Sequence, residues 1–236
     1  MSVVAEIQNQ LVNLSNPEDA LFLQRFFKTG PGQYGAGDLF RGIRVPVLRR
    51  LSAGNHAITL EEAAQLLRSS YHEDRLLALL ILVRQYGKAD EAGRAAIYAL
   101  YLKSTHFINN WDLVDASAEH IVGAFLTDKC QDPLDHLAGS RSIWERRMAI
   151  LATFHFIKRG RFEPTLRIAA KLLKDKEDLI HKAVGWMLRE VGKRDLQKEE
   201  AFLIAHCRQM PRTMLRYAIE KFPADKRQGY LKGAVG

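Results

Sequence analysis

EDRLLALLIL at residues 73–82 returns in altered form as ERRMAILATF at 145–154, HKAVGWMLRE at 181–190 and MLRYAIEKF at 214–222. Aligning Arg75, Arg147, Lys182 and Arg216 gives steps of 72, 35 and 34 residues, and 72 is two steps of 36. The unit between Arg75 and Arg147 is then centred on Trp111. A period near 35 with two helices per unit marks stacked helical repeats, a little below the roughly 40–47 residues of HEAT or armadillo units. The expected fold is all-α: a right-handed solenoid of HEAT-like antiparallel helix pairs, one domain over 1–236, with a concave face.

The rest of the chain agrees with helices joined by short connections. Val3 to Phe27 reads as two helices split by Ser15, Asn16 and Pro17, with Pro17 suited to a first helical turn. From Thr59 onward, helical patterns of ordinary length are separated by breaks near 69–70, 88–90, 105–110, 132–133, 139–142, 160–164, 175–176 and Pro211, and no period-two strand appears. The exception is Thr29 to Gly42, which holds five glycines and little apolar periodicity. It reads as a long loop, either a plain flexible connection or a phosphate cradle, and no strand or GK[ST] element accompanies it. After it, Pro46 can start a helix carrying Arg49 and Arg50.

A hydrophobic content of 47% over 236 residues is enough for a full core. There is no run of 18 apolar residues, and the N-terminus lacks a basic region ahead of an apolar segment, so the expected compartment is the cytoplasm. Cys130 and Cys207 are isolated, a spacing that suits neither a zinc site nor a disulfide framework, and no cofactor is implied. The net charge of +8 and pI near 9.5 favour a polyanionic partner. Charge alone says little, and any single basic residue can be explained by a nearby acid such as Glu73, Asp74 or Glu145. Recurrence in register carries more weight. The row Arg75, Trp111, Arg147, Lys182, Arg216 predicts a basic concave groove.

Within that row the segment NNWDLVDASAE, residues 109–119, asks for a chemical explanation. Asn109 or Asn110 can cap a helix, and Asp112 in its first turn suits the helix dipole. Trp111 and Asp115, four apart, share a face at the rim of the apolar stripe formed by Val114, Ala118, Ile121, Val122 and Phe125. In the helix over 177–192, Trp186 lies off the stripe of Ile180, Val184, Met187, Leu188 and Val191, with Gly185 leaving space beside it, whereas Trp144 reads as packing between repeats. Two indoles and a carboxylate form a cage for a cation held on a polyanion, and a carboxylate beside Arg147 stays ionised and can stabilise oxocarbenium character. With one such carboxylate evident, a leaving group that needs little protonation fits best.

The segments NNWDLVD, SIWERRMAIL and KAVGWMLRE closely resemble the signature segments of the AlkD family of DNA alkylation repair enzymes, and IRVPVLRRL resembles its early G-I-x-x-P-x-x-R-like segment. The likeness runs over most of the chain in the same order. It implies a DNA glycosylase that cradles duplex DNA and excises purines alkylated at N3 or N7, leaving an abasic site. The resemblance matches the family's catalytic aspartate to Asp115, its flanking tryptophans to Trp111 and Trp186, and its active-site arginine to Arg147 rather than Arg146. The expected DNA contacts are Arg44, Arg49, Arg75, Arg147, Lys182 and Arg216. The partner expected is duplex DNA containing alkylated purines, with no membrane, and a monomer suffices. The competing readings are a DNA-binding scaffold without catalysis and a protein-binding solenoid.

Overall fold

The computed structural model describes residues 2–234. Among them helices carry the regular structure, with one isolated bridge between Leu39 and Tyr71. No described helix is long and apolar enough to cross a membrane. The contacts gather into two compact units, residues 1–121 and 122–236.

The first unit runs α1 (Val3–Asn13), α2 (Pro17–Phe26), α3 (Val45–Gly54), α4 (Leu60–Leu67), α5 (His72–Lys88), α6 (Glu91–Lys103) and α7 (Trp111–Asp115). Local sequence features set its helix starts. Asn16 caps α2 by accepting from the backbone N–H of Glu18 and Asp19 at 3.0 and 3.1 Å, with Pro17 in the first turn. Thr59 and Glu62 close a capping box on α4. Helix α5 is the centre of this unit, packing against α3, α4, α6 and α7. Every residue from His72 to Leu82 is buried, the pattern of a helix enclosed on all sides.

That enclosure explains why Arg75, expected on the groove, is instead 4% exposed. Its Nη2 donates to Asp38 at 2.7 Å and its Nη1 to the Ser69 carbonyl at 2.9 Å. The preceding acids are buried too, and both face the end of the glycine-rich segment. Glu73 accepts from the backbone N–H of Arg41, Gly42 and Ile43 at 2.9, 2.8 and 3.2 Å. Asp74 takes the Arg41 guanidinium at 2.6 and 3.0 Å. Gly42 is required here, because its φ is +81° and a Cβ would lie 2.1 Å from the Asn16 carbonyl oxygen. The segment 29–42 is thus laid against the start of α5 by buried carboxylates.

The helix expected from residue 109 through Phe125 is interrupted. α7 ends at Asp115, a turn follows, and Glu119–Gly123 forms a π-helical turn. Ser117 is the local cause. Its hydroxyl donates back to the Leu113 carbonyl at 2.6 Å and meets the Tyr101 hydroxyl at 2.9 Å, drawing the chain out of the regular ladder.

The second unit continues with α8 (Asp132–Ala138), α9 (Ile143–Ala152), α10 (Phe154–Ile157), α11 (Glu163–Lys171), α12 (Asp178–Gly192), α13 (Leu196–His206), α14 (Arg212–Ala218) and α15 (Ala224–Lys232). Helix α12 is its hub, packing on α9, α11, α13 and α14. Gly185 does not leave space beside Trp186. It is buried where α12 meets α14, and a Cβ there would lie 2.4 Å from the Met214 carbonyl oxygen.

Two stability changes follow. Gly185→Val should cost about 1–3 kcal/mol by forcing α12 from α14, lowering the thermal midpoint by several degrees in far-UV circular dichroism. Glu73→Ala should cost about 3 kcal/mol in urea titrations, because it strands buried backbone donors that water cannot reach.

Candidate active site

Trp111 and Asp115, one turn apart on α7, line a single concavity of about 220 Å³. Its other walls are Val45 and Arg49 from α3, Leu76 and Leu80 from α5, and Asp112 and Ala116. An apolar floor, an indole, two carboxylates and an exposed arginine therefore meet in the first unit. Asp112 was legible in the sequence only as a favourable charge at a helix start. Here it also faces the concavity.

The indole of Trp111 is held from behind. Phe27 stacks on it with centroids 5.2 Å apart and planes at 20°, and Phe26 meets it edge-on at 6.0 Å. Phe27 packs in turn on Phe40 and on the His72 ring at 5.1 and 4.9 Å. These phenylalanines gave no signal beyond an FF pair at a helix end. Only the return of the segment after α2 places them behind residue 111.

The first turn of α7 is fixed by a polar cluster beneath this stack. Asn110 accepts from the Trp111 backbone N–H at 2.8 Å. Asn109 and Asn110 reach Asp38 at 3.2 and 3.5 Å. His72 Nε2 lies 2.8 Å from Asp112 Oδ2, and its Nδ1 lies 3.4 Å from Asp38 Oδ2. Burial alone would lower the imidazole pKa, but the two aspartates outweigh both burial and the repulsion of Arg75, and raise it to about 9. For Asp38, burial pushes upward and is outweighed by His72, Arg75 and Asn109, so its pKa is lowered.

In the second unit, Trp186 is partly exposed, with its indole N–H donating to Glu190 at 3.3 Å and its ring 6.1 Å from Phe154. Glu190 is also gripped by Lys193 and Arg194 at 2.6 and 3.2 Å. Its burial would raise its pKa, yet these partners and the indole hold it lower. The i, i+4 spacing of Trp186 and Glu190 could have suggested this pair. Trp144 is buried as packing.

The basic residues divide. Arg49 and Arg216 are exposed. Arg44 is exposed with Asp19 as its partner at 3.1 Å, and half-exposed Lys182 pairs with Asp178 at 2.8 Å. Arg147 is only 5% exposed, with Nη1 donating to the Leu179 carbonyl at 2.6 Å. It pins the first turn of α12, the helix that carries Trp186. Arg146 is committed to Asp175 at 2.6 Å. The described residues contain no group of three or more His, Cys, Asp or Glu arranged for a metal ion.

No curated protein matches the sequence. A solved structure described as a predicted DNA alkylation repair enzyme from Enterococcus faecalis is similar in fold, with a TM-score of 0.68 and 18% identity over 89% of this chain and 97% of that one. The sequence model of the family described as DNA alkylation repair enzyme matches residues 7–222. The match spans most of the chain, including both compact units: the chain belongs to the DNA alkylation repair enzyme family, and its role is in the repair of alkylated DNA.

Proposed function

We propose that the protein is a monofunctional DNA glycosylase that hydrolyses the N-glycosidic bond of N3- or N7-alkylated purines in duplex DNA. The observation that carries this reading is the concavity where Trp111 and Asp115 stand together over an apolar floor. A purine alkylated at N3 or N7 carries a positive charge. Its bond to the sugar breaks with the electron pair going to the base, which leaves neutral and needs no general acid. Positive charge then grows on the deoxyribose, and a nearby carboxylate stabilises it most at that point. Asp115 is assigned this work, together with orienting the water whose oxygen bonds to C1′ and whose proton passes to solvent. The face of Trp111 attracts the cationic nucleotide, by about 0.5–2 kcal/mol depending on desolvation.

Trp186 is assigned the same kind of contact, with Glu190 fixing its indole. Arg147, buried against Leu179, is assigned to positioning α12 rather than to the direct phosphate contact that the sequence suggested. Phosphate contact falls to exposed groups, Arg49 first, since it borders the concavity. A lysine placed as a Schiff-base nucleophile does not line the concavity, so the product assigned is an intact abasic site.

Asp115→Asn should reduce release of 7-methylguanine and 3-methyladenine from methylated duplex DNA by on the order of a hundredfold, with duplex affinity nearly unchanged. Unchanged release would sink the catalytic assignment and leave a DNA-binding scaffold. Arg49→Ala should weaken binding to all sequences alike and lower the slope of log affinity against log salt by about 1, measured by fluorescence anisotropy across a salt series. An unaltered slope would remove Arg49 from the phosphate contacts.

A further inference from the structure

We propose that His72 is a positioning residue for the site on α7: as an imidazolium it bridges Asp112, at the start of that helix, to Asp38 in the glycine-rich segment. The inference rests on the glycosylase reading of Trp111 and Asp115. Its basis is geometric. His72 is 2% exposed, and each of its ring nitrogens faces a carboxylate oxygen, Nε2 toward Asp112 at 2.8 Å and Nδ1 toward Asp38 at 3.4 Å. An ionised carboxylate only accepts, so both contacts are attractive only when both nitrogens carry protons. A neutral ring satisfies one contact and turns a lone pair toward the other.

The bridge acts on what the site needs. Asp112 lines the concavity and sits between Trp111 and Asp115 in the turn that presents them. Asp38 gathers Arg75, Asn109 and Asn110 around the same point. The ring also stacks on Phe40 at 4.6 Å and meets Phe27, on which Trp111 stacks, at a tilt of 36°. The charged groups facing His72 are Asp38 from the segment, Asp112 from α7 and Arg75 from its own helix. The aspartates raise its pKa to about 9 against burial and Arg75. In linkage terms, a raised pKa means the bridge contributes fully below the unfolded value near 6.5 and is lost as pH rises through about 9.

The test compares wild type with His72→Gln in single-turnover release of 3-methyladenine from methylated duplex DNA between about pH 6.5 and 10, the window spanning the unfolded and folded values. Glutamine has one amide in place of two ring donors, as the deprotonated ring has one N–H. The rate ratio of wild type to variant should be tenfold or more near neutrality and approach one as pH rises through about 9. Base lost without enzyme is subtracted from both rates at each pH, because that background adds to each and would by itself draw the ratio toward one. A ratio of one at neutral pH, or one that stays constant across the range, overturns the proposal.

Should His72→Gln fail to fold by circular dichroism, Asp112→Asn replaces it: the alkaline loss of rate should move to lower pH, and an unmoved limb overturns the bridge. If wild type releases no base, the glycosylase reading fails by itself. The bridge is then decided by Trp111 emission in the Trp144→Phe, Trp186→Phe background. A step near pH 9 that vanishes on adding His72→Gln supports it, and a flat titration overturns it.

Discussion

A buried carboxylate must find its partners inside the protein, and Asp38 finds them in two places. His72 and Arg75 come from the start of α5, Asn109 and Asn110 from the approach to α7, and the aspartate itself from a segment with no regular structure. Removing one partner from such a cluster leaves a charge without solvent, at a cost of about 3–5 kcal/mol. The segment, α5 and α7 are therefore held in one arrangement. Glu73 and Asp74 repeat the device a few residues on, with Arg41 and the backbone of residues 41–43. The glycine-rich segment is thus better understood as a strap that ties the start of α5 to the start of α7 than as a free connection.

Much of the architecture was legible because helices leave periodic signals. The break at Asn16 and Pro17, the cap at Thr59 and the apolar stripe of α12 are all encoded within a few residues of where they act. Trp111 and Asp115 were legible as a pair for the same reason. Arg75 was not. Its register with Arg147, Lys182 and Arg216 is real in the sequence, but register fixes only the place along a repeat. Whether that face is open depends on what else covers it, and for Arg75 the cover is Asp38, far away in the chain and in a segment without periodicity. Gly185 fails as a clue in the same way, since the space it leaves is filled by the backbone of α14.

Phe26 and Phe27 lie behind Trp111, so the indole has one face committed to the protein. This limits how a ligand can use it. A cation or a sugar must approach from the side of Asp115 and Arg49, where the concavity is. The stack also carries stiffness: Trp111 leans on Phe27, Phe27 on Phe40 and His72, and His72 is fixed by charge at both nitrogens. Tolerances for a reacting sugar are tight, and a shift of about 1 Å can cost on the order of a hundredfold in rate.

Charge bookkeeping separates position from field in this arrangement. With His72 protonated, Asp38, Asp112, His72 and Arg75 sum to zero, so the cluster adds little net potential at the concavity. Loss of the imidazole proton leaves it at minus one. Over roughly 10 Å and an effective dielectric near 20, an added negative charge would favour a bound cation by about 1–2 kcal/mol. Electrostatics alone would therefore make the site better for a cationic purine as His72 deprotonates, while loss of the bridge would make it worse. The two effects have opposite signs, so a fall in the wild-type advantage through pH 9 runs against the field of the cluster and in the direction that loss of the bridge requires.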